Sequence, residues 1–312
     1  MKEWNYEFTV PEQKQFRMLI HTDCKNEADD QFAVVQNLMT PKFIVKGIIG
    51  GHFNKNPQEY GDGHTADASV REIDRVLDLM GLSGCYPVCK GSEYPLQNEE
   101  TPVLSDGARM IIDEAMRDDS HPLFCVFQGA ITDLASALLL KPEIASRMTA
   151  IWIGGGMYPA GGFEFNLLQD IAAANVVMKS QVPLWQVPIT VYKQVSVSLA
   201  QLQLHVKPYG KIGKYLFEQM VQYNTKCAGI AHWPHGEIWG LGDTAAIAVL
   251  LQESERIDNF FMAEAPTVNY EDMTYVQAAG NRKIRVYTQV DARLVIDDFF
   301  AKLAINYPKA DS

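Results

Sequence analysis

The sequence predicts an α/β fold: an open, mostly parallel, doubly wound sheet with helices on both faces. Three observations predict it. Short apolar runs alternate with segments whose apolar residues recur at helical spacing, and ten or more helical residues separate most successive runs, the length a parallel crossover needs. No repeat, low-complexity tract or Gly/Ser-rich linker interrupts the chain, so residues 1–312 read as a single domain. Polar residues collect directly after the apolar runs, at the edge where open α/β sheets bind ligands.

In order, the strands are expected at Arg17–Ile20, Phe43–Ile49, Cys85–Val88, Leu123–Phe127, Thr149–Ile153, Pro183–Val187 and Lys283–Val290. Each is a short run of mainly apolar residues, bounded by polar or turn-forming ones. Helices are expected between them at Asp29–Met39, Ala66–Met80, Gly107–Arg117, Thr132–Leu140 and Asp170–Lys179. From about residue 196 to 255 the pattern turns helical, over Ser196–Leu204, Lys211–Cys227 and Asp243–Gln252.

Bulk composition narrows the function. Hydrophobic residues make up 47% of the 312 and charged residues 21%, the balance of a soluble globular protein. A net charge of −11, with no basic stretch of five, argues against a nucleic-acid partner. The N-terminus lacks the apolar core of a signal peptide, and no run reaches the ~20 apolar residues of a membrane span. Five cysteines are an odd count; Cys85 and Cys89 lack a second pair or His pair to complete a zinc site. The expectation is a cytoplasmic protein with reduced thiols.

The acidic residues at the first strand end are the most informative. Asp23 follows the run Met18–Ile20, and Asp29 and Asp30 follow six and seven residues later, where the next helix begins. One carboxylate there does no more than complement a helix dipole. Three converging on one strand end repel each other and call for a cation or a proton, and a hard oxygen-seeking ion is the natural partner.

Other strand ends add to the same rim: Gly50-Gly51-His52, then Gln128-Gly129, then Gly154-Gly155-Gly156 followed by Glu164-Phe165-Asn166. The triple glycine misses the dinucleotide fingerprint, because Pro159 falls where the third glycine belongs, and reads as a tight loop that admits close approach. No Walker loop occurs. Asp243, opening an apolar helix, reads on its own as an N-cap. The loop Ala228–Gly242 carries His232, Trp233, His235 and Trp239, and reads equally as packing or as a ligand-facing lid.

Taken together these motifs resemble the inosine–uridine-preferring nucleoside hydrolase family. His21-Thr22-Asp23 and Asp29-Asp30 resemble its opening D-T-D-P-G-x-D-D, with a spacer two residues longer. Phe127–Ala135, Trp152–Gly155, Glu164–Ala173 and Gly242–Ala246 resemble further family segments in the right order. Val290–Arg293 before Phe299 looks like its closing strand–helix.

The resemblance implies a nucleoside hydrolase-like fold, cleavage of N-ribosidic bonds, a place in purine and pyrimidine salvage, and a homodimer or homotetramer. It implies one Ca²⁺ held by Asp23, Asp30, Asp243 and the main-chain carbonyl of Gln128. Asp29 stands as a ribose-binding residue, Glu164 and Asn166 as holders of sugar hydroxyls, and His52 where the family often has a ribose-contacting Asn. Asp23 stands as the base that takes a proton from the attacking water.

The base side of the pocket departs from the family. Gly242 replaces the His before the distal Asp, Val103–Gly107 lacks the His of the H-G-x-D-G segment, and His21 replaces the first Asp. Acid assistance then falls to His232, His235 or Tyr223, and stacking on the base to Trp233 or Trp239. The alternative is a protein of the same fold that binds Ca²⁺ and ribose with weak or no turnover.

Overall fold

The computed structural model describes residues 4–56, 60–230, 236–252, 257–277 and 280–309. Its strands are β1 (Phe16–Thr22), β2 (Phe43–Gly50), β3 (Val88–Lys90), β4 (Leu123–Gln128), β5 (Thr149–Ile153), β6 (Leu184–Val187), β7 (Ser196–Ser198), β8 (Ile238–Gly240), β9 (Phe260–Glu264), β10 (Thr267–Val268), β11 (Tyr275–Val276) and β12 (Lys283–Tyr287). The helices are α1 (Asp30–Leu38), α2 (Thr65–Met80), α3 (Asp106–Ala115), α4 (Thr132–Leu140), α5 (Phe165–Gln169), α6 (Ile171–Lys179), α7 (Ile189–Tyr192), α8 (Leu199–His205), α9 (Gly210–Lys226), α10 (Ala245–Leu251) and α11 (Ala292–Asn306).

Eight strands form the central sheet in the order β3-β2-β1-β4-β5-β6-β12-β9. Every neighbouring pair is parallel except β12 with β9, which is antiparallel. Every residue of β1 is buried, as expected of a central parallel strand covered on both faces. One apolar layer, built from α1, α2 and α9 to α11, covers one face; a second, built from α3, α4 and α6, covers the other. The fold is thus the α/β architecture that the alternating pattern predicts.

Strand order reverses beside β1, whose neighbours are β2 on one side and β4 on the other. Thr22 is in register with both Gly50 and Gln128, so Asp23, Gly51 and Gly129 leave the sheet side by side. That is the switch-point crevice of an open sheet.

Several boundaries differ from expectation for identifiable reasons. β3 begins at Val88 rather than Cys85, because Pro87 has no N–H to enter a ladder; its carbonyl accepts from Ile48 instead. Ser196–Ser198 pairs as a strand with Ile238–Gly240, and Ser198 then caps α8 through a capping box with Gln201. β9 is an edge strand with only Ala263 buried, so it shows little apolar signal in sequence. No helix among the described residues is long and apolar enough to cross a membrane.

Candidate functional site

The rim above β1 is shaped by the segment between Asp23 and Asp29. Lys25 takes a positive φ of 99°, which folds the five-residue spacer back over the strand end. Asn26 donates its N–H to the Asp23 carbonyl at 2.9 Å and its side-chain amide to Asp23 Oδ2 at 3.3 Å. Helix α9 braces the spacer from outside. Tyr223 donates to the Asn26 carbonyl at 2.7 Å, and Gln219 to the Ala28 carbonyl at 2.7 Å. The longer turn is therefore a built element, held at both ends.

Four buried aspartates meet there. Single oxygens of Asp29, Asp30 and Asp243 all lie within 4.8 Å of one another. Asp30 is central, with its carboxyl in side-chain contact with those of both Asp23 and Asp243. The Thr22 hydroxyl fixes Asp30 by donating to Oδ1 at 2.5 Å. Asp29 Oδ2 accepts the Asp243 N–H at 3.3 Å, joining residues 214 positions apart. Asp29 holds the N-cap position of α1 without a side-chain cap bond, and the N-cap position of α10 falls to Thr244, not Asp243. The capping explanation of these carboxylates therefore fails.

The electrostatics of the group are one-sided. Burial first, then the charge of Asp30, pushes the Asp23 and Asp243 carboxyls well above the usual carboxylate range. Burial and Asp30 likewise raise Asp29 to about 7. Burial also raises Asp30, against the Thr22 bond that favours its ionised form. Among the described residues none of the four forms an ion pair with Lys, Arg or His. A buried all-oxygen set with no counter-charge among the described residues fits a hard divalent cation.

The Gln128 carbonyl borders the cluster and accepts the Asp23 N–H at 3.2 Å, which leaves its second lone pair. Gly129 follows, and a Cβ there would lie 3.0 Å from Asp23 Cγ, so a side chain would push against Asp23 where the two strand ends close. The side-chain amide of Gln128 reaches across to donate to the Asp243 carbonyl at 3.0 Å.

Glu164 and Asn166 sit at the end of β5. Glu164 caps α5: Oε2 accepts from Gly155 and Leu167 N–H at 2.8 Å each, and Oε1 from Asn166 N–H at 3.1 Å and the Tyr192 hydroxyl at 2.9 Å. Burial nevertheless raises its carboxyl above the ordinary value. Asn166 donates its amide to the Ile153 carbonyl at 2.8 Å. The triple glycine is a tight loop, as read from sequence: Gly155 has φ +88°, and a Cβ there would strike Gln186 and Tyr275.

His52 is 1% exposed, and its Nε2 pairs with Thr132 Oγ1 at 2.8 Å, which donates in turn to Asp170 at 2.7 Å. Because the threonine proton goes to Asp170, the imidazole must donate through Nε2, leaving Nδ1 bare. His21 pairs through Nε2 with Asp133 at 2.8 Å.

Tyr223 spends its hydroxyl on Asn26 and stacks edge-on against Trp239, which is 2% exposed and packed in the core. His232, Trp233 and His235 lie outside the described residues. Sequence reasoning missed three groups. Asp133 holds His21, Ser92 N–H and Ser105 together; its position after Gln128–Thr132 was the available signal. Glu27 lies within the charge field of Asp29, Asp30 and Glu164, and burial plus those charges raises it to about 8. Tyr192 follows the end of β6 on the same rim. A cavity of about 560 Å³ lined by Lys90, Tyr94, Leu104 and Arg109 opens elsewhere, and none of the four aspartates lines it.

Known proteins supply the remaining comparison. The family model described as inosine-uridine preferring nucleoside hydrolase matches residues 18–297. The pyrimidine-specific ribonucleoside hydrolase RihA of Salmonella arizonae is 26% identical over 206 residues, covering 58% of this chain and 63% of that protein. RihA of Escherichia coli O9:H4 is 27% identical over 186 residues, covering 52% and 57%. The chain thus spans less than two thirds of the length of these curated relatives.

Among solved structures, a purine-preferring ribonucleoside hydrolase from Gardnerella vaginalis superposes with a TM-score of 0.72 at 20% identity, over 92% of this chain and 98% of that one. An inosine-uridine preferring nucleoside hydrolase from Bacillus anthracis gives 0.66 at 14%, over 93% and 99%. These likenesses establish the fold, and the family match runs through all four aspartates: the chain belongs to the inosine-uridine preferring nucleoside hydrolase family.

Proposed function

We propose that the chain hydrolyses the N-glycosidic bond of ribonucleosides or related ribosides in a Ca²⁺-dependent way, giving ribose and a free base. The observation that carries this reading is the quartet Asp23, Asp29, Asp30 and Asp243, buried together at the switch point with no ion pair to a cation among the described residues. Asp23, Asp30, Asp243 and the Gln128 carbonyl are the proposed ligands, with Asp29 beside them available to a sugar hydroxyl. Bound there, the ion would grip the sugar diol and make water easier to deprotonate.

The chain's own residues account for the rest. Asp23 takes the proton of the attacking water, held in place by its bond from Asn26. Positive charge develops on the anomeric carbon as the bond breaks, and the surrounding carboxylates stabilise it. Asn166 and His52 complete the proposed sugar side. The same reading takes residues 1–312 as one unit, a homodimer or homotetramer, and a cytoplasmic setting, where cysteines stay reduced.

Two observations favour a second reading, a Ca²⁺–ribose binder with little turnover. Gly242 offers no side chain beside Asp243, and Tyr223 spends its proton on the Asn26 carbonyl. Assaying reducing sugar from inosine, uridine, adenosine and p-nitrophenyl riboside with Ca²⁺ separates the two. Cleavage of natural nucleosides supports the hydrolase. Cleavage of the nitrophenyl compound alone means that the leaving group receives weak assistance. Binding of Ca²⁺ and riboside without any release supports the binder.

A further inference from the structure

The cavity of about 560 Å³ lies where the chain leaves the edge strand β3 and enters α3, and it has the size of a small-molecule pocket. Tyr94, Leu104, Ile112 and Leu140 give it an apolar wall. Three of them are bare: Leu104 is 81% exposed, Tyr94 52% and Leu140 41%. Single exposed apolar side chains are ordinary on a protein surface, but these share one concave wall. Through Ser105 the cavity backs onto Asp133, and none of the four aspartates lines it.

Four charged side chains line the same cavity, and they divide into two kinds. Lys90 and Glu93 are spent on each other, and Lys90 also holds Asp67 at 3.1 Å. Asp106 and Arg109 stand one turn apart on α3, a spacing that puts them on one face of the helix. Neither side chain makes a hydrogen bond or ion pair with any described residue. An anion alone would meet Asp106 as a like charge, and a cation alone would meet Arg109. A molecule carrying both charges beside an apolar body meets neither penalty.

We propose that this cavity is a second small-molecule site, whose ligand is a free α-amino acid with a large apolar side chain. Arg109 takes the carboxylate, Asp106 takes the ammonium, and the wall formed by Tyr94, Leu104, Ile112 and Leu140 covers the side chain. Both charges of an α-amino acid sit on one carbon. They can therefore be gripped together by side chains one helical turn apart, whose Cβ atoms are about 5–6 Å from each other. The assignment is independent of the riboside reading, because no group of the aspartate cluster takes part in it.

The test titrates the full chain with L-phenylalanine and L-leucine by calorimetry and saturation-transfer NMR. L-Alanine, N-acetyl-L-phenylalanine and L-phenylalaninamide serve as comparisons. L-Phenylalanine or L-leucine should bind with a Kd of about 1 mM or tighter, and L-alanine, which leaves the apolar wall in water, roughly 10-fold more weakly. The acetyl compound lacks the ammonium and the amide lacks the carboxylate, so each should also lose roughly 10-fold. Arg109→Gln should abolish the preference for L-phenylalanine over its amide, and Asp106→Asn the preference over its acetyl derivative. Both residues are exposed, so both variants should keep the wild-type melting temperature. Affinity should be the same in Ca²⁺ and in chelator, as for a site outside the aspartate cluster. Absence of saturable binding by either amino acid overturns the proposal. So does binding that both substitutions leave unchanged, or binding that appears only with Ca²⁺.

Discussion

The side-chain amide of Gln128 donates to the main-chain carbonyl of Asp243 at 3.0 Å, across 115 positions of sequence. This bond ties the end of β4 to the turn that delivers the distal carboxylate, so the same residue sets one proposed ligand and offers its own carbonyl as another. Gln128→Met keeps the volume and removes the donor. The Asp243 carbonyl keeps the Ala245 N–H, so losing the amide costs what one neutral hydrogen bond contributes, about 0.5–1.5 kcal/mol. The expected outcome is that loss in chemical denaturation, together with weaker Ca²⁺ binding by calorimetry. Unchanged stability and unchanged affinity would show that the strut is dispensable.

Repulsion among the four aspartates gives a prediction of opposite sign for the metal-free and loaded protein. In chelator, Asp243→Asn relieves a buried carboxyl group that pairs with no cation among the described residues, and should melt at a higher temperature than wild type. Adding Ca²⁺ should raise the wild-type melting temperature strongly, as ligand linkage requires, and leave the variant almost unmoved. Asp23→Ala and Asp243→Ala should both lose riboside cleavage while remaining folded. A variant that still gains the full wild-type increment with Ca²⁺ would remove Asp243 from the ligand set.

Behind the rim, Asp133 is fixed by His21, by the Ser92 N–H and by the Ser105 hydroxyl. Burial works to raise its carboxyl, but the bond and charge of His21, with Ser105 and Ser92, hold it below the usual range. A Cβ at Gly91 would collide with this immobile carboxylate and approach the Gly50 carbonyl at 3.0 Å. Gly91→Ala should therefore destabilise by about 1–3 kcal/mol, the usual cost of overpacking. A melting curve matching wild type would mean that the network yields more easily than its bonds imply.

These residues also show what was legible in the sequence. Thr149–Ile153 and Thr132–Leu140 form exactly the elements their patterns predict, because a buried parallel strand and an amphipathic or buried helix each advertise themselves locally. Asp23 and Asp30 were legible at one strand end, whereas Asp243, which read on its own as an N-cap, joined them only through the family resemblance. What could not be read is contact between side chains from unrelated segments. Nothing local to Glu164 announces that four donors fill it, and nothing in Tyr223 announces that its hydroxyl braces the Asn26 carbonyl. Pairing of β9 with β12 was missed for a similar reason: an edge strand buries too little to leave a period.

His52 supplies the pH prediction. Burial, the largest influence, pulls its imidazole down to about 4 from an unfolded value of 6.5; nearby Asp133 opposes this and His21 adds to it. A depressed histidine stays neutral in the folded state while the unfolded chain takes up a proton as pH falls. Stability is therefore whole above about pH 6.5 and is lost as pH drops toward 4, by about 2–3 kcal/mol at pH 4.5 if His52 alone is considered. His52→Gln keeps an amide donor for Thr132 but cannot titrate. Urea unfolding at pH 7 and pH 4.5 should show the wild type losing that much more stability than the variant. Equal losses in the two proteins would mean that His52 is protonated in the folded state, and that its Nδ1 is not the bare acceptor that the Thr132–Asp170 relay requires.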